Sequence, residues 1–223
     1  MAAPLFEFRD DAVLNTQPSV YVTHGKRVLD IGLVFLALPV ILPVLGIILG
    51  ITALFGGQPL YSQYRIGRNG AAFRCWKVRT MVPNADRALA AILRDDPVLE
   101  QEWRQNQKLA HDPRVTRVGA ILRKTSLDEL PQLWNVLAGE MSLVGPRPFL
   151  PEQQALYDCR PCRASYYAMR PGITGSWQVG RRNRSSFGER ALFDDDYSEQ
   201  ISLLTDLSIL FRTVGVVLRA TGV

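Results

Sequence analysis

The sequence predicts an α+β fold, mostly α, with a membrane-inserted N-terminal helix, a small β-hairpin, and helices beyond it. Three observations lead there. Ile31 to Phe55 is an apolar run of 25 residues without a charge. Pro59 to Met81 alternates in polarity around Arg68-Asn69-Gly70. The remainder reads as short helices divided by Asp, Pro and Gly.

Taken in order, residues 1–25 lack a basic-then-apolar order and a small-residue cleavage site, so they are no secretory signal and read as a mobile lead-in. The apolar run follows Lys26, Arg27 and Asp30. As one straight helix it would reach about 37 Å, more than the roughly 30 Å hydrocarbon core. Pro39 and Pro43 sit inside it, and each removes a backbone donor. Basic residues flank both ends: Lys26 and Arg27 before, Arg65, Arg68 and Arg74 after. The positive-inside tendency therefore gives no asymmetry. A helix-break-helix hairpin dipping into one leaflet and a single proline-kinked span both satisfy these residues.

Beyond the run, Tyr61, Tyr64 and Ile66 precede Asn69-Gly70, and Phe73, Trp76 and Val78 follow it, which is a hairpin pattern. On the second arm the two-residue period puts Lys77 and Arg79 on one face, where they could hold a phosphate or be merely solvated. Asn84 to Arg94 and Pro97 to Lys108 read as a charged helical pair split by Asp95-Asp96-Pro97. Thr116 to Lys124 reads as a short helix that delivers Arg123 ahead of Asp128.

The chain is organised around Leu122 to Pro148, LRKTSLDELPQLWNVLAGEMSLVGPRP. Leu130, Leu133, Trp134 and Leu137 recur at helical spacing, ending near Gly139. Two registers compete at its start. Ser126 with Glu129 fits a capping box, whereas Pro131 prefers the first turn and favours Asp128 as the N-cap. In either, Asp128 and Glu129 lie at the positive end of the helix dipole, which also attracts phosphate oxygens. An acidic first turn alone would be ordinary capping. Pro146 and Pro148 fix the backbone around Arg147, whose guanidinium suits phosphate.

Arg170 to Arg181 is a glycine-rich loop, too irregular for helix or strand, that carries Gln178 and Arg181; it has neither the Rossmann nor the P-loop spacing. Ile201 to Leu218 is apolar with a narrow polar stripe. It suits a membrane interface, or packing on the protein's own core with Asp206 paired inside.

The 223 residues carry a net charge of +5, which admits nucleic acid, anionic lipid or phosphorylated substrates. No nucleic-acid motif appears, so nucleic acid is not expected as a partner. Cys75, Cys159 and Cys162 with only two histidines give no zinc set, and reduced thiols are the default.

These motifs resemble the bacterial sugar transferase family, the small monotopic phosphoglycosyl transferases, and most closely its exopolysaccharide-initiating members. The match runs through Lys26 to Asp30, Lys77 to Met81, Leu122 to Pro148, Arg170 to Arg181 and Asp194 to Asp206. One departure lies in the late loop, where Gln178-Val179 runs directly into Gly180-Arg181.

The resemblance implies a re-entrant N-terminal membrane helix hairpin over residues 26–56 and a helical catalytic domain with interfacial amphipathic helices over residues 57–223. It places the chain on the cytoplasmic face of the bacterial inner membrane. It implies transfer of a sugar 1-phosphate from a UDP-sugar to polyprenol phosphate, such as undecaprenyl phosphate, with release of UMP and with Mg2+ as cofactor. Asp128 would be the nucleophile and Glu129 a metal ligand, with Asp194 a second. Lys77, Arg79, Arg123, Arg147, Gln178 and Arg181 would bind substrate. Membrane lipids are further partners, and self-association is left open. The alternative reading is a non-catalytic membrane-bound scaffold that binds anionic lipid or partner proteins.

Overall fold

The structure, a computed structural model, describes residues 19–56, 58–106, 109–158, 163–180 and 187–219. It is mostly helical with two small sheets. One π-helical turn, Tyr21–Gly25, leads into α1, Lys26–Gly56. Tyr21–Gly25, the end of the stretch read as lead-in, is thus helical, and residues 1–18 lie outside the described residues. The backbone stays helical through Pro39 and Pro43, where the resemblance implied a break and the residues alone left a kinked span equally open. At 31 residues α1 is about 46 Å long.

One face of α1 packs along the domain. Val34 joins Phe73, Cys75, Val136 and Met141 in one apolar cluster. Further along, Ile48 joins Val78 and Leu122 in another. The other face is bare, with Phe35, Leu36, Val40 and Leu54 exposed. At its start Arg27 donates to the carbonyls of Val136 and Leu137, and Lys26 pairs with buried Asp206 at 2.5 Å.

β1 (Leu60–Ile66) and β2 (Ala72–Val78) form the expected antiparallel hairpin, with Ile66 opposite Ala72 and Tyr61 opposite Lys77. The turn holds Asn69 at φ +58° and Gly70 at φ +75°, which explains the Asn-Gly pair. α2 (Ala85–Asp95) and α3 (Pro97–Asn106) follow, the second capped by Asp96 Oδ1, which accepts from the amides of Val98 and Leu99. α4 (Arg117–Lys124) begins at Thr116, whose hydroxyl accepts from Gly119 N at 2.9 Å.

The centre differs from both expected registers. Leu127–Glu129 is a separate 3-10 turn, and α5 is only Gln132–Ala138. Ser126 lies at φ +57° and caps nothing with its side chain, and Pro131 occupies the N-cap position. Asp128 and Glu129 therefore sit ahead of α5. Gly139 at φ +83° closes α5 as anticipated.

A second sheet was not foreseen. β3 (Ser142–Val144) runs parallel to β4 (Gly172–Thr174), which lies inside the supposedly irregular glycine-rich loop, and α8 (Ser176–Val179) follows it. α6 (Gln154–Asp158) and α7 (Arg163–Ala168) make the crossover. The backbones touch here: a Cβ at Gly172 would sit 2.1 Å from Gly145 N, and one at Gly175 2.2 Å from Gly145 O. Glycine permits that approach and removes the alternation by which strands are read.

α9 (Arg190–Glu199) and α10 (Leu203–Leu218) complete the described chain. Asp206 is buried and accepts from Tyr21, Lys26 and Tyr197. Leu204 and Phe211 on the opposite side are 78% and 82% exposed.

Candidate active site

Three elements converge on the acidic pair. The hairpin supplies Lys77, the 3-10 turn supplies Asp128 and Glu129, and the proline-flanked turn after β3 supplies Arg147. Glu129 Oε1 accepts from Lys77 Nζ and from Arg147 Nη2, each at 2.8 Å. Burial pushes the Glu129 carboxyl up, but Arg147 and Lys77 outweigh it and hold the group well below the usual carboxylate range. Arg147 is raised in return, chiefly by Glu129.

Asp128 is placed differently. It is buried, Lys77 Nζ lies 3.8 Å away, and among the described residues no hydrogen bond to its carboxylate is found. Burial pushes its carboxyl up, Lys77 pulls it back and Glu129 pushes it up again, with a net rise. One carboxylate is therefore clamped and charged, and its neighbour is desolvated and, among the described residues, without a hydrogen bond.

Of the remaining expected cations, Arg123 donates through Nε to Thr80 Oγ1 at 2.9 Å and acts on Asp128 through its charge alone. Arg79 lies one residue past β2 and makes no ion pair with either carboxylate; its charge is felt at Tyr61. Gln178 is buried, donates weakly to Ile173 O at 3.4 Å and lines a cleft with Glu129 and Arg147. Arg181 lies outside the described residues, as do Cys159 and Cys162. Cys75 is a buried free thiol.

Asp194, expected beside Glu129 at a metal, lies instead among aromatic rings. Its Oδ2 accepts from Tyr157 Oη at 2.8 Å, and burial raises it to about 6, with Arg190 pulling the other way. Among the described residues no group of three or more acidic, His or Cys side chains gathers for a metal. Glu129 does retain one lightly used oxygen, since among the described residues Oε2 meets only Arg147 Nη1, at 3.5 Å. That suits Mg2+, which takes one or two carboxylates and completes its shell with water and substrate phosphates.

Arg65 is a cation that sequence reasoning assigned only to membrane flanking. In the hairpin register Tyr61, Gln63 and Arg65 share a face with Lys77, Cys75 and Phe73. Arg65 donates to Pro148 O at 3.2 Å, and its charge bears on Arg147 and Glu129. The period-two count that selected Lys77 could have found it. Lys77, Arg65, Arg123 and Arg147 thus surround two carboxylates and leave excess positive charge for an anion.

The cleft, about 190 Å³, joins this centre to apolar walls: Ile41 of α1, Leu130, Leu133, and Val216 and Val217 of α10. A neighbouring groove of about 340 Å³, bounded by α1 leucines, Trp76 and Trp134, is almost wholly apolar. A phosphate head and a hydrocarbon tail would be matched by the first cleft together.

Residues 21–220 match the sequence model of the bacterial sugar transferase family. The chain is 46% identical over 198 residues to a UDP-galactose-lipid carrier transferase of Erwinia amylovora, covering 88% of this chain and 41% of that protein. It is 44% identical over 199 residues to the exopolysaccharide production protein ExoY of Sinorhizobium fredii, covering 89% and 87%. It is 41% identical over 204 residues to a UDP-glucose:undecaprenyl-phosphate glucose-1-phosphate transferase of Caulobacter vibrioides, covering 88% and 71%. The chain thus spans less than half of the Erwinia relative and most of the other two.

Proposed function

Because the chain belongs to the bacterial sugar transferase family, whose sequence model covers residues 21–220, we propose that it is a polyprenol-phosphate sugar-1-phosphate transferase acting in exopolysaccharide or glycoconjugate synthesis. Its donor is a UDP-sugar and its acceptor an undecaprenyl-type phosphate, as the names of its relatives indicate. The observation that carries the reading is the split between the two carboxylates, a clamped Glu129 beside a desolvated Asp128 that no described residue hydrogen-bonds.

Asp128 is the nucleophile. One carboxylate oxygen forms a bond to the β-phosphorus of the UDP-sugar, and the bond from that phosphorus to the bridging oxygen breaks, so UMP departs with the electron pair. The phosphosugar remains on Asp128. The acceptor's phosphate oxygen then attacks the same phosphorus, delivering the polyprenyl diphosphosugar and regenerating the carboxylate. No general base is required, since both nucleophiles are anionic.

Bringing two like charges to about 4 Å costs roughly 4 kcal/mol at an effective dielectric near 20. Lys77, Arg123 and Arg147 offset it and hold the donor phosphates. Glu129, with substrate phosphates, would hold Mg2+, which when bound supplies further charge neutralisation. Asp194 accepts from Tyr157 and lies beside Arg190, and we assign it to support of Arg190.

Residues 26–56 form the membrane element and residues 57–223 a domain at the cytoplasmic face. Support comes from α1 itself: its first residues pair with Asp206, and Ile48, far along it, packs on Val78 and Leu122. A helix held at both places by one globular body keeps its ends on one side, which favours monotopic insertion over a straight span. The bare faces of α1 and α10 then meet lipid, and the cleft between them admits the acceptor.

The test is incubation of the purified full chain with a panel of UDP-sugars and undecaprenyl phosphate, measuring UMP. Release of UMP with at least one sugar, lost on chelation and in Asp128→Asn, is expected. UMP release that survives Asp128→Asn would reject the assignment.

A further inference from the structure

Arg147 reaches Glu129 from a turn that is poor in main-chain donors. Pro146 and Pro148 carry no N–H, so the turn is held largely through its carbonyls. All three are occupied. Pro146 O accepts from Gly172 N at 2.8 Å, Arg147 O from Arg190 Nη2 at 2.6 Å, and Pro148 O from Arg65 Nη1 at 3.2 Å. The first donor is backbone. The other two are cations drawn out of water, and burial lowers both from the usual arginine range, Arg190 to about 10.

Arg190 is itself tightly held. Its guanidinium lies 4.9 Å from the Trp177 ring and 4.8 Å from the Phe187 ring. Asp194, fixed by Tyr157 at 2.8 Å, supplies the counter-charge. Arg190 Nε is buried without a hydrogen-bond partner, an arrangement that costs stability. An apolar side chain could fill the same space without that penalty. What only the guanidinium adds is its hydrogen bond to Arg147 O and its charge behind the turn.

We propose that Arg190 and Arg65 are positioning residues for the transfer reaction: by gripping the carbonyls of Arg147 and Pro148 they keep the Arg147 guanidinium on Glu129 and facing the donor phosphates. Asp194 and Tyr157 serve by fixing Arg190. The inference rests on the proposed function and deepens it. It also gives Asp194 a task that needs no metal.

A double-mutant cycle tests it, run on the full chain in lipid nanodiscs with UMP release as readout and melting followed in parallel. Arg190→Ala is expected to lower kcat roughly 10- to 100-fold, the scale of a misplaced catalytic group. KM for the UDP-sugar should move much less, and Arg190→Lys should recover part of the loss. In an Arg147→Lys background, which keeps the charge but abandons the fork, the same Arg190→Ala change should cost no more than about threefold, because its route of action is already lost. Equal losses in both backgrounds would overturn the proposal, as would unchanged kcat in Arg190→Ala. If Arg190→Ala does not fold, Arg65→Ala carries the same cycle through the Pro148 carbonyl. A wild-type chain that releases no UMP rejects the proposed function itself. Additive losses measured against an active wild type reject only the positioning.

Discussion

A carboxylate that attacks phosphorus has to be ionised, poorly solvated and free of tight partners, and no single environment gives all three easily. In the proposed reaction two adjacent residues divide the demand. Glu129 takes the short ion pairs with Lys77 and Arg147 and stays charged over the working pH range. Asp128 takes the desolvation, so its carboxyl titrates above its ordinary value. An acid with a raised pKa loses its charged form as pH falls through that pKa, so UMP release should show an acid limb governed by Asp128. Lys77 pulls this pKa down, and Lys77→Ala should therefore move the limb to higher pH as well as slow the reaction. A limb that stays in place, or moves down, in the pH profile of UMP release would reject this account of the pair. That Asp128, Glu129, Lys77 and Arg147 would come together was legible in the sequence, because the motifs around them are long and keep their order. Arg190 was not: nothing in its local sequence tells that it stacks on Trp177 and reaches the carbonyl of Arg147.

At the scale of elements, tight backbone contacts set the distances at the candidate site. Gly119 of α4 lies against Thr80, and a Cβ there would fall 2.0 Å from Thr80 O. Gly119→Ala must push α4 away from the strand end, and with it Arg123, whose partner is the Thr80 hydroxyl. Lower thermal stability together with at least a several-fold loss of UMP release is expected; wild-type values for both would show that the contact can yield. The aromatic cluster behind the site is a second case. Phe149 is fully buried, 4.8 Å from the Tyr157 ring and 4.6 Å from Tyr166. Phe149→Ala should cost about 3–5 kcal/mol, read as a lowered midpoint in denaturation of the detergent-solubilised chain. The hairpin, α2, α3, α4 and α10 could be read from pattern because side-chain period reports them. β3, β4 and α8 could not, since three glycines carry that contact and glycine has no side chain to alternate. The separate 3-10 turn was hidden for another reason: capping rules see local donors, whereas Glu129 answers to Lys77 and Arg147 from distant parts of the chain.

For the molecule as a whole, the apolar run and the long helix it forms suggest membrane association, and packing bears on the topology. A straight span is hard to reconcile with α1 clasped at Lys26 and at Ile48 by one domain. Cysteines introduced at exposed Val20 and at Gln58 should both react with an impermeant thiol reagent only after the cytoplasmic face is opened; labelling of either from the outer face would establish a span instead. Under the proposed function, such insertion would let one centre serve a water-soluble nucleotide and an acceptor confined to lipid. The catalytic claim at the centre of this arrangement is tested most directly by mass. Incubation with the productive UDP-sugar and no acceptor, followed by digestion, should show the peptide containing Asp128 heavier by one phosphosugar, and addition of undecaprenyl phosphate should discharge it. Full turnover with that peptide never modified under trapping conditions would contradict a covalent intermediate on Asp128.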